Sequence, residues 1–322
     1  MIPLRDTIRA KNYPVVTHAL IAINVLVFLV QMSQGTHLDR FIFTYGLVPA
    51  RYSVEAFASY FSGFQQIFSF LSYMFLHGGF LHLIGNAWFL HIFGDNVEDR
   101  LGHLRYLVFY LVCGMASGAA HLLLNRYSTV PTIGASGAIA GVMGAYFLSY
   151  PNAKILTLIP ILFIPWFVEI SAFFFLGAWL LFQLVRASGI IGGGGGIAWW
   201  AHIGGFLFGM LALKALDHLP KTGLTRRVSR ITRVKNSPRL QVIRPVGLGP
   251  DPHLYGSILI TDHEARSGTR KLVSIPRGLK KRLFRVSIPA GIGDAKMLRL
   301  RGLGKQIGTD QFGDLFLKVT IE

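Results

Sequence analysis

Ser136 lies in TIGASGAIAGVMGAY, residues 132–146, held between Gly134, Ala135 and Gly137 in a run that is otherwise apolar. A hydroxyl there has two readings. Small residues and Ser let membrane helices approach closely, and a lone Ser in such a run more often serves packing than chemistry. To act as a nucleophile it needs a general base, because a serine hydroxyl is a poor nucleophile until its proton is taken. His202, in AHIGGFLFG, is the candidate, since a neutral imidazole suits that task near its usual pKa. Gly137 and Gly141 follow Ser136 at small-residue spacing, while Ala201, Gly205 and Gly209 flank His202. If those two faces meet, Ser136 and His202 come within hydrogen-bond reach. Neither run offers an acidic third member, so a dyad is expected.

Acyl transfer also requires donors aimed at the developing oxyanion. HLIGN places His82 and Asn86 one helical turn apart on one face. The backbone N–H of Ser136, near a helix start, adds a third donor at a favourable dipole end. His77 taken alone is an interfacial histidine, and Asn86 taken alone is interhelical glue. Together with Ser136 and His202 they converge on one site.

The elements that must position these groups are membrane spans. Of the residues, 52% are hydrophobic and 15% charged, and several apolar runs approach the length of about 20 residues that crosses a bilayer core. Six spans are expected: Thr17–Met32, Leu76–Gly94, Leu104–Leu124, Ile133–Tyr150, Glu169–Val185 and Trp199–Asp217. Ile155–Val168, apolar but broken by Pro160 and Pro165, reads as an approach to the fifth span or as part of a longer kinked helix. The aromatic-rich connection Gln34–Tyr73 reads as interfacial. Lys and Arg favour the cytoplasmic side, and an N-in arrangement puts Arg5, Arg9, Lys11, Arg100, Arg105 and Lys154 there, leaving chiefly Arg40, Arg51 and Arg126 outside. Both termini are then cytoplasmic, and spans two, four and six enter from the outer face, which brings His77, His82, Ser136 and His202 to one depth. Ionisable groups inside spans are costly and default to function. Met1–Pro14 is polar and no cleavage site follows the first apolar run, so that helix is expected to stay in the mature chain. Cys113 has no partner in the chain, which excludes an intrachain disulfide or thiolate cluster, and no metal or cofactor is expected.

The residues GASG around Ser136, HGGFLHLIGN from His77 to Asn86 and AHIGGFLFG from Ala201 to Gly209, in this order, resemble the rhomboid intramembrane serine proteases over roughly residues 14–218. The resemblance implies a polytopic all-α bundle of six transmembrane helices in which Ser136 is the nucleophile, His202 its base, His82 and Asn86 the oxyanion hole and His77 a supporting group. It implies cleavage of transmembrane protein substrates near the outer face, without cofactor. The family's first loop often carries a Trp-Arg pair; the nearest candidate here is Arg51-Tyr52. A non-cleaving relative that binds membrane helices is the alternative, and it would be marked by loss of Ser136 or His202. A transporter fits less well, since the spans show neither an inverted repeat nor a buried carboxylate chain.

From Pro220 onward there are 21 Lys and Arg against 7 Asp and Glu. Residues 219–250 read as a basic linker able to lie on anionic membrane lipids, after a short N-terminal segment 1–16 and a membrane domain 17–218. Residues 251–322 alternate apolar and polar in short runs, the pattern of a small all-β sandwich. LITDHEARSGTRKLVSIP, RVSIPAGIGDAKMLRLRGLG and GDLFLKVTIE resemble the C-terminal substrate-binding domain of DnaJ-type co-chaperones, one repeat only, with neither a His-Pro-Asp triplet nor zinc-binding cysteines. The resemblance implies binding of unfolded or extended client peptides along a sheet edge; the other reading is a basic sandwich that only docks on the membrane. Nucleic acid is not an expected partner, because the charges are spread and no base-reading motif is present. An integral multi-pass protein of the bacterial inner (plasma) membrane is the expected setting.

Overall fold

A computed structural model describes residues 1–8, 10–161, 164–189, 198–219, 232, 237–277, 280–307 and 311–321. The chain divides into two compact units, one of Asn12–Ala153 with Ile170–Arg233, the other of Met1–Lys11, Lys154–Glu169 and Val234–Glu322.

The first unit is helical: α1 (Val15–Met32), α2 (Leu38–Tyr45), α3 (Glu55–Ala58), α4 (Gly63–Ser72), α5 (Phe80–Leu101), α6 (His103–Leu124), α7 (Ser136–Ser149), α8 (Ala172–Ala187) and α9 (Trp199–Asp217). Among the described residues, α1, α6 and α9 are long and apolar enough to cross a membrane. A bent pair, Gly63–Phe75 with Phe80–Leu101, turns by 79° and would make a fourth. The 14 residues of α7 rise only about 21 Å against an apolar slab of about 30 Å. Every residue of α7 from Gly137 to Tyr146 is buried, so protein surrounds it where a spanning helix would meet lipid. The outer helices show the opposite pattern. Leu26, Leu29, Val108, Phe174 and Leu181 point outward and are exposed, whereas Thr17, Asn24, Gln31 and Gln183 point inward, which suits an apolar solvent outside and a polar-lined interior.

Two buried charged side chains fix the ends of these helices. The carboxylate of Glu98, 1% exposed, accepts from the backbone N–H of Val16 (2.9 Å) and Thr17 (2.8 Å) and from Thr17 Oγ1 (2.7 Å), and it bonds His103 Nδ1 at 2.5 Å. It thus caps the otherwise unpaired first turn of α1 from α5. Glu98→Ala strands three donors and an imidazole in the interior, and removal of one member of such a buried cluster costs about 3–5 kcal/mol. Thermal unfolding in detergent should show that loss, with Glu98→Gln intermediate. Arg51 is fully buried; its guanidinium donates to the carbonyls of Phe43 and Thr44 and lies 3.5 Å over the Phe61 ring. Arg51 therefore holds the segment that follows α1 together, and it does not act as the free surface charge that counting basic residues on the outer side treats it as.

Strands replace helix in the stretch before α8. β1 (Ile2–Asp6) pairs antiparallel with β2 (Lys154–Ile161), with Ile2 opposite Leu158, and β3 (Ile164–Ser171) completes a three-stranded sheet in the order β1-β2-β3. The stretch Ile155–Val168 thus leads up to α8 as strand, which corrects its reading as part of a longer kinked helix, the start of the fifth span at Glu169, and an all-α architecture up to residue 218. Pro160 and Pro165 stand next to the ends of β2 and β3, where a missing N–H is tolerated, and they would break a helix. The N-terminal segment is correspondingly a strand in part.

Beyond the helices, β4 (Leu240–Val242), β5 (Val246–Gly247), β6 (Leu254–Ile260), β7 (Thr269–Arg277), β8 (Lys280–Ile288), β9 (Met297–Leu300) and β10 (Leu315–Ile321) form two sheets, β5-β6-β10-β9 and β4-β7-β8. On β10, Leu315, Leu317 and Val319 are fully buried and alternate with the more exposed Phe316, Lys318 and Thr320. Ile258 and Ile260 join them in one core with Val273, Ile275, Val286 and Ile288 of the other sheet. A short helix α10 (Asp262–Ser267) interrupts the strands, so the region is β-rich rather than all-β. Its capping box pairs Thr261 with Glu264, whose carboxylate also receives the buried Lys271 ammonium and the Ser237 hydroxyl. Most of the basic linker, residues 220–231 and 233–236, lies outside the described residues.

Candidate active site

Helices α7 and α9 lie backbone to backbone. A methyl group at Gly205 would collide with the Gly137 carbonyl, one at Gly209 with the Gly141 carbonyl, and one at Gly144 with the Phe206 carbonyl. Only glycine permits such an approach. Ser117 Oγ of α6 donates to the Ala201 carbonyl at 2.7 Å, which fixes the turn of α9 that carries His202. The consequence is local and chemical: Ser136, the first residue of α7, bonds through Oγ to His202 Nε2 at 2.8 Å.

This pair opens on a cavity of about 560 Å³ that is also lined by His82, Asn86, Gly134, Gly137 and Ala201. Leu81, Phe89, Ile139, Met143 and Trp179 supply an apolar wall, the usual make-up of a site that holds a largely apolar ligand by a few placed polar groups. Ser136 and His202 keep partial exposure, so the Ser136 hydroxyl is not sealed.

The orientation of His82 is legible from its bonds. The backbone N–H of Gly78 donates to His82 Nδ1 at 3.2 Å. A neutral imidazole carries one N–H, so the proton resides on Nε2 and makes that nitrogen a donor. Gly134 adopts φ +128°, and a methyl group there would sit 2.8 Å from His82 Nε2 and 3.6 Å from Ser136 Oγ. The space between His82 Nε2 and Ser136 Oγ is kept open by the absence of a side chain at Gly134. Asn86 is 8% exposed and its Nδ2 has no partner among the described residues. A buried amide left without an acceptor costs free energy, and this one lines the cavity beside His82.

His77 does not line the cavity. It is fully buried behind His82, edge to face with ring centroids 5.3 Å apart. Its backbone is clamped by Gln31 of α1, which accepts from His77 N at 3.0 Å and donates to His77 O at 2.6 Å. Gly141, Gly205 and Gly209 lie farther along the α7–α9 seam.

The residue that reading the motifs misses is Gln183. It is 3% exposed on α8, and its Oε1 lies 2.8 Å from His202 Nδ1. Trp179, one turn earlier on the same helix, places its ring 6.0 Å from that of His202, and Trp199 meets the imidazole edge-on at 6.3 Å. The available signal was a lone amide within the apolar AFFFLGAWLLFQLVRA.

A domain of several apolar helices with a serine–histidine pair at the head of an internal, mostly apolar cavity is thus the class that fold and site define. Residues 65–216 match the Rhomboid domain family. The chain is 30% identical over 207 residues to Rhomboid protein 1, mitochondrial, of Saccharomyces cerevisiae, covering 62% of this chain and 53% of that protein. It is 27% identical over 212 residues to Rhomboid protease GluP of Bacillus subtilis (65% and 36%), and 35% identical over 75 residues to RHOMBOID-like protein 5 of Arabidopsis thaliana (23% and 24%). The matched parts span about a quarter to half of these relatives' lengths. These matches support the rhomboid family for the helical part of the chain.

Proposed function

We propose that the chain is an intramembrane serine endopeptidase that cleaves transmembrane proteins, with Ser136 as nucleophile and His202 as general base. The Ser136–His202 bond at 2.8 Å is the observation that carries this reading. Ser136 Oγ attacks the scissile carbonyl carbon while His202 Nε2 takes the hydroxyl proton. The carbonyl oxygen becomes an oxyanion that accepts from His82 Nε2–H, Asn86 Nδ2–H and the Ser136 backbone N–H. Collapse expels the amine, which leaves with the proton held by His202, and water then hydrolyses the acyl-enzyme by the same base. His77 supports His82 from behind. A non-cleaving helix binder would have no need for a Ser–His bond or for an unpaired buried amide beside it.

In this reading six spans cross the bacterial inner membrane over residues 17–218, both termini are cytoplasmic and the cavity opens toward the outer face. The β-rich region, which begins with β4 at Leu240 inside the stretch 219–250 that the sequence reads as linker, is then a cytosolic domain of DnaJ type. A specific observation favours client binding there. Among the described residues β8 is an edge strand of the sheet β4-β7-β8, and such an edge suits an added strand.

One experiment addresses both parts. Two model substrates share a spanning helix, and only one has a cytosolic extension; each is reconstituted with the full chain or with a chain truncated after Lys221. The full chain should cut both. Truncation should spare the short substrate and slow the extended one, because tethering raises local concentration into the mM range for short flexible linkers. Absence of cleavage by the full chain would refute the protease reading, and equal rates on the extended substrate would refute client delivery.

A further inference from the structure

The bond between His202 and Gln183 has a consequence for the proton on the imidazole. Gln183 presents its carbonyl oxygen, Oε1, to His202 Nδ1 at 2.8 Å. A carbonyl oxygen only accepts, so Nδ1 must carry the hydrogen. The neutral ring then has a lone pair on Nε2, the nitrogen 2.8 Å from Ser136 Oγ, and the serine hydroxyl donates to it. The opposite tautomer would place N–H against Ser136 Oγ and leave no acceptor for the serine proton. It would also set two acceptors, Nδ1 and the amide oxygen, against each other in a buried site. Which ring nitrogen works is set by the bond the other makes.

On these grounds we infer that Gln183 is a positioning residue, which locks His202 in the Nδ1–H tautomer and so readies Nε2 to receive the Ser136 proton; this rests on the protease reading for its catalytic meaning. The geometry around it supports a dedicated role. Gln183 is 3% exposed in a helix whose neighbouring side chains are apolar. Trp179, one turn away, and Trp199 pack on the same imidazole, so the ring is held in plane and orientation while the amide fixes its proton. Ser136 comes from α7, His202 from α9 and Gln183 from α8, which makes the unit a three-helix relay with a neutral third member in place of a carboxylate. The amide adds no charge to an apolar interior, where an unpaired carboxylate would be costly.

The test uses the full chain in detergent with ¹⁵N-labelled histidine, the His202 signals being assigned as those absent from His202→Ala. In the wild type the His202 nitrogens should report Nδ1 protonated and Nε2 unprotonated. Gln183→Leu should populate the other tautomer and lower kcat by about 10- to 100-fold, the size of effect that loss of an orienting partner has on a metal-bound imidazole, with KM little changed. Gln183→Glu retains the acceptor and should restore both the spectroscopic signature and most of kcat. If the wild type shows Nε2 protonated, or if Gln183→Leu lowers kcat without altering the tautomer, the inference is overturned and Gln183 is interhelical packing. The tautomer is read without any substrate. A chain that shows the Nδ1–H form yet never cleaves would therefore sink the protease reading and leave the structural assignment standing.

Discussion

Ser136→Ala and His202→Ala should each abolish cleavage of a transmembrane substrate while thermal unfolding in detergent stays close to wild type. The two halves of that expectation have separate causes. The contact between α7 and α9 is made by glycine backbones at Gly137, Gly141, Gly205 and Gly209 and by Ser117 holding Ala201, so neither the Ser136 hydroxyl nor the His202 ring carries the helix pairing. Chemistry, by contrast, has no substitute for either group. In the proposed reaction no acyl-enzyme forms without Oγ, and without Nε2 the hydroxyl stays protonated. Groups that act as one unit are strongly non-additive, so the double variant should be no worse than either single one. Loss of activity together with a large fall in unfolding temperature would instead mark these residues as packing elements.

The proposed oxyanion donors should behave differently. Asn86→Ala and His82→Ala are each expected to lower kcat by about 10²- to 10³-fold and to leave measurable turnover, since removal of one preorganised donor has that typical effect. Asn86 is the cleaner probe. Its Nδ2 is buried in the wall of the Ser136 cavity without a partner among the described residues, so Asn86→Ala removes an unsatisfied group, and the folded protein should hold or gain stability as activity falls. His82 also receives the Gly78 N–H, and His82→Ala leaves that donor unpaired near the start of α5, so a modest loss of stability should accompany the loss of rate. The opposite signs of the two stability changes, with similar kinetic losses, separate a shared catalytic role from a shared structural one.

How far the sequence carries this account depends on which kind of information each feature needs. The meeting of α7 and α9 was legible, because glycine at four-residue spacing on two apolar runs has few other uses. The one-turn spacing of His82 and Asn86 was legible for the same reason of helical period. Gln183 was not, since its importance lies in the rotation of α8 about its axis, which no local pattern encodes. The pairing of β1 with β2 was hidden more deeply: Ile155–Val168 is a short apolar run, and periodicity alone does not separate such a strand from a helix segment. Its partner Ile2–Asp6 lies about 150 residues away in a stretch that reads as polar. Arg51 shows the limit of charge counting, for a guanidinium buried against the carbonyls of Phe43 and Thr44 says nothing about which side of a membrane it faces.

The most direct measurement is covalent labelling of the purified chain in detergent with a fluorophosphonate probe, followed by mapping of the modified residue. A single adduct on Ser136 Oγ is expected, absent in Ser136→Ala, absent in His202→Ala, and slowed but present in Asn86→Ala. No labelling at Ser136 in a folded wild-type chain, or labelling that persists unchanged in His202→Ala, would contradict the proposed Ser136–His202 dyad.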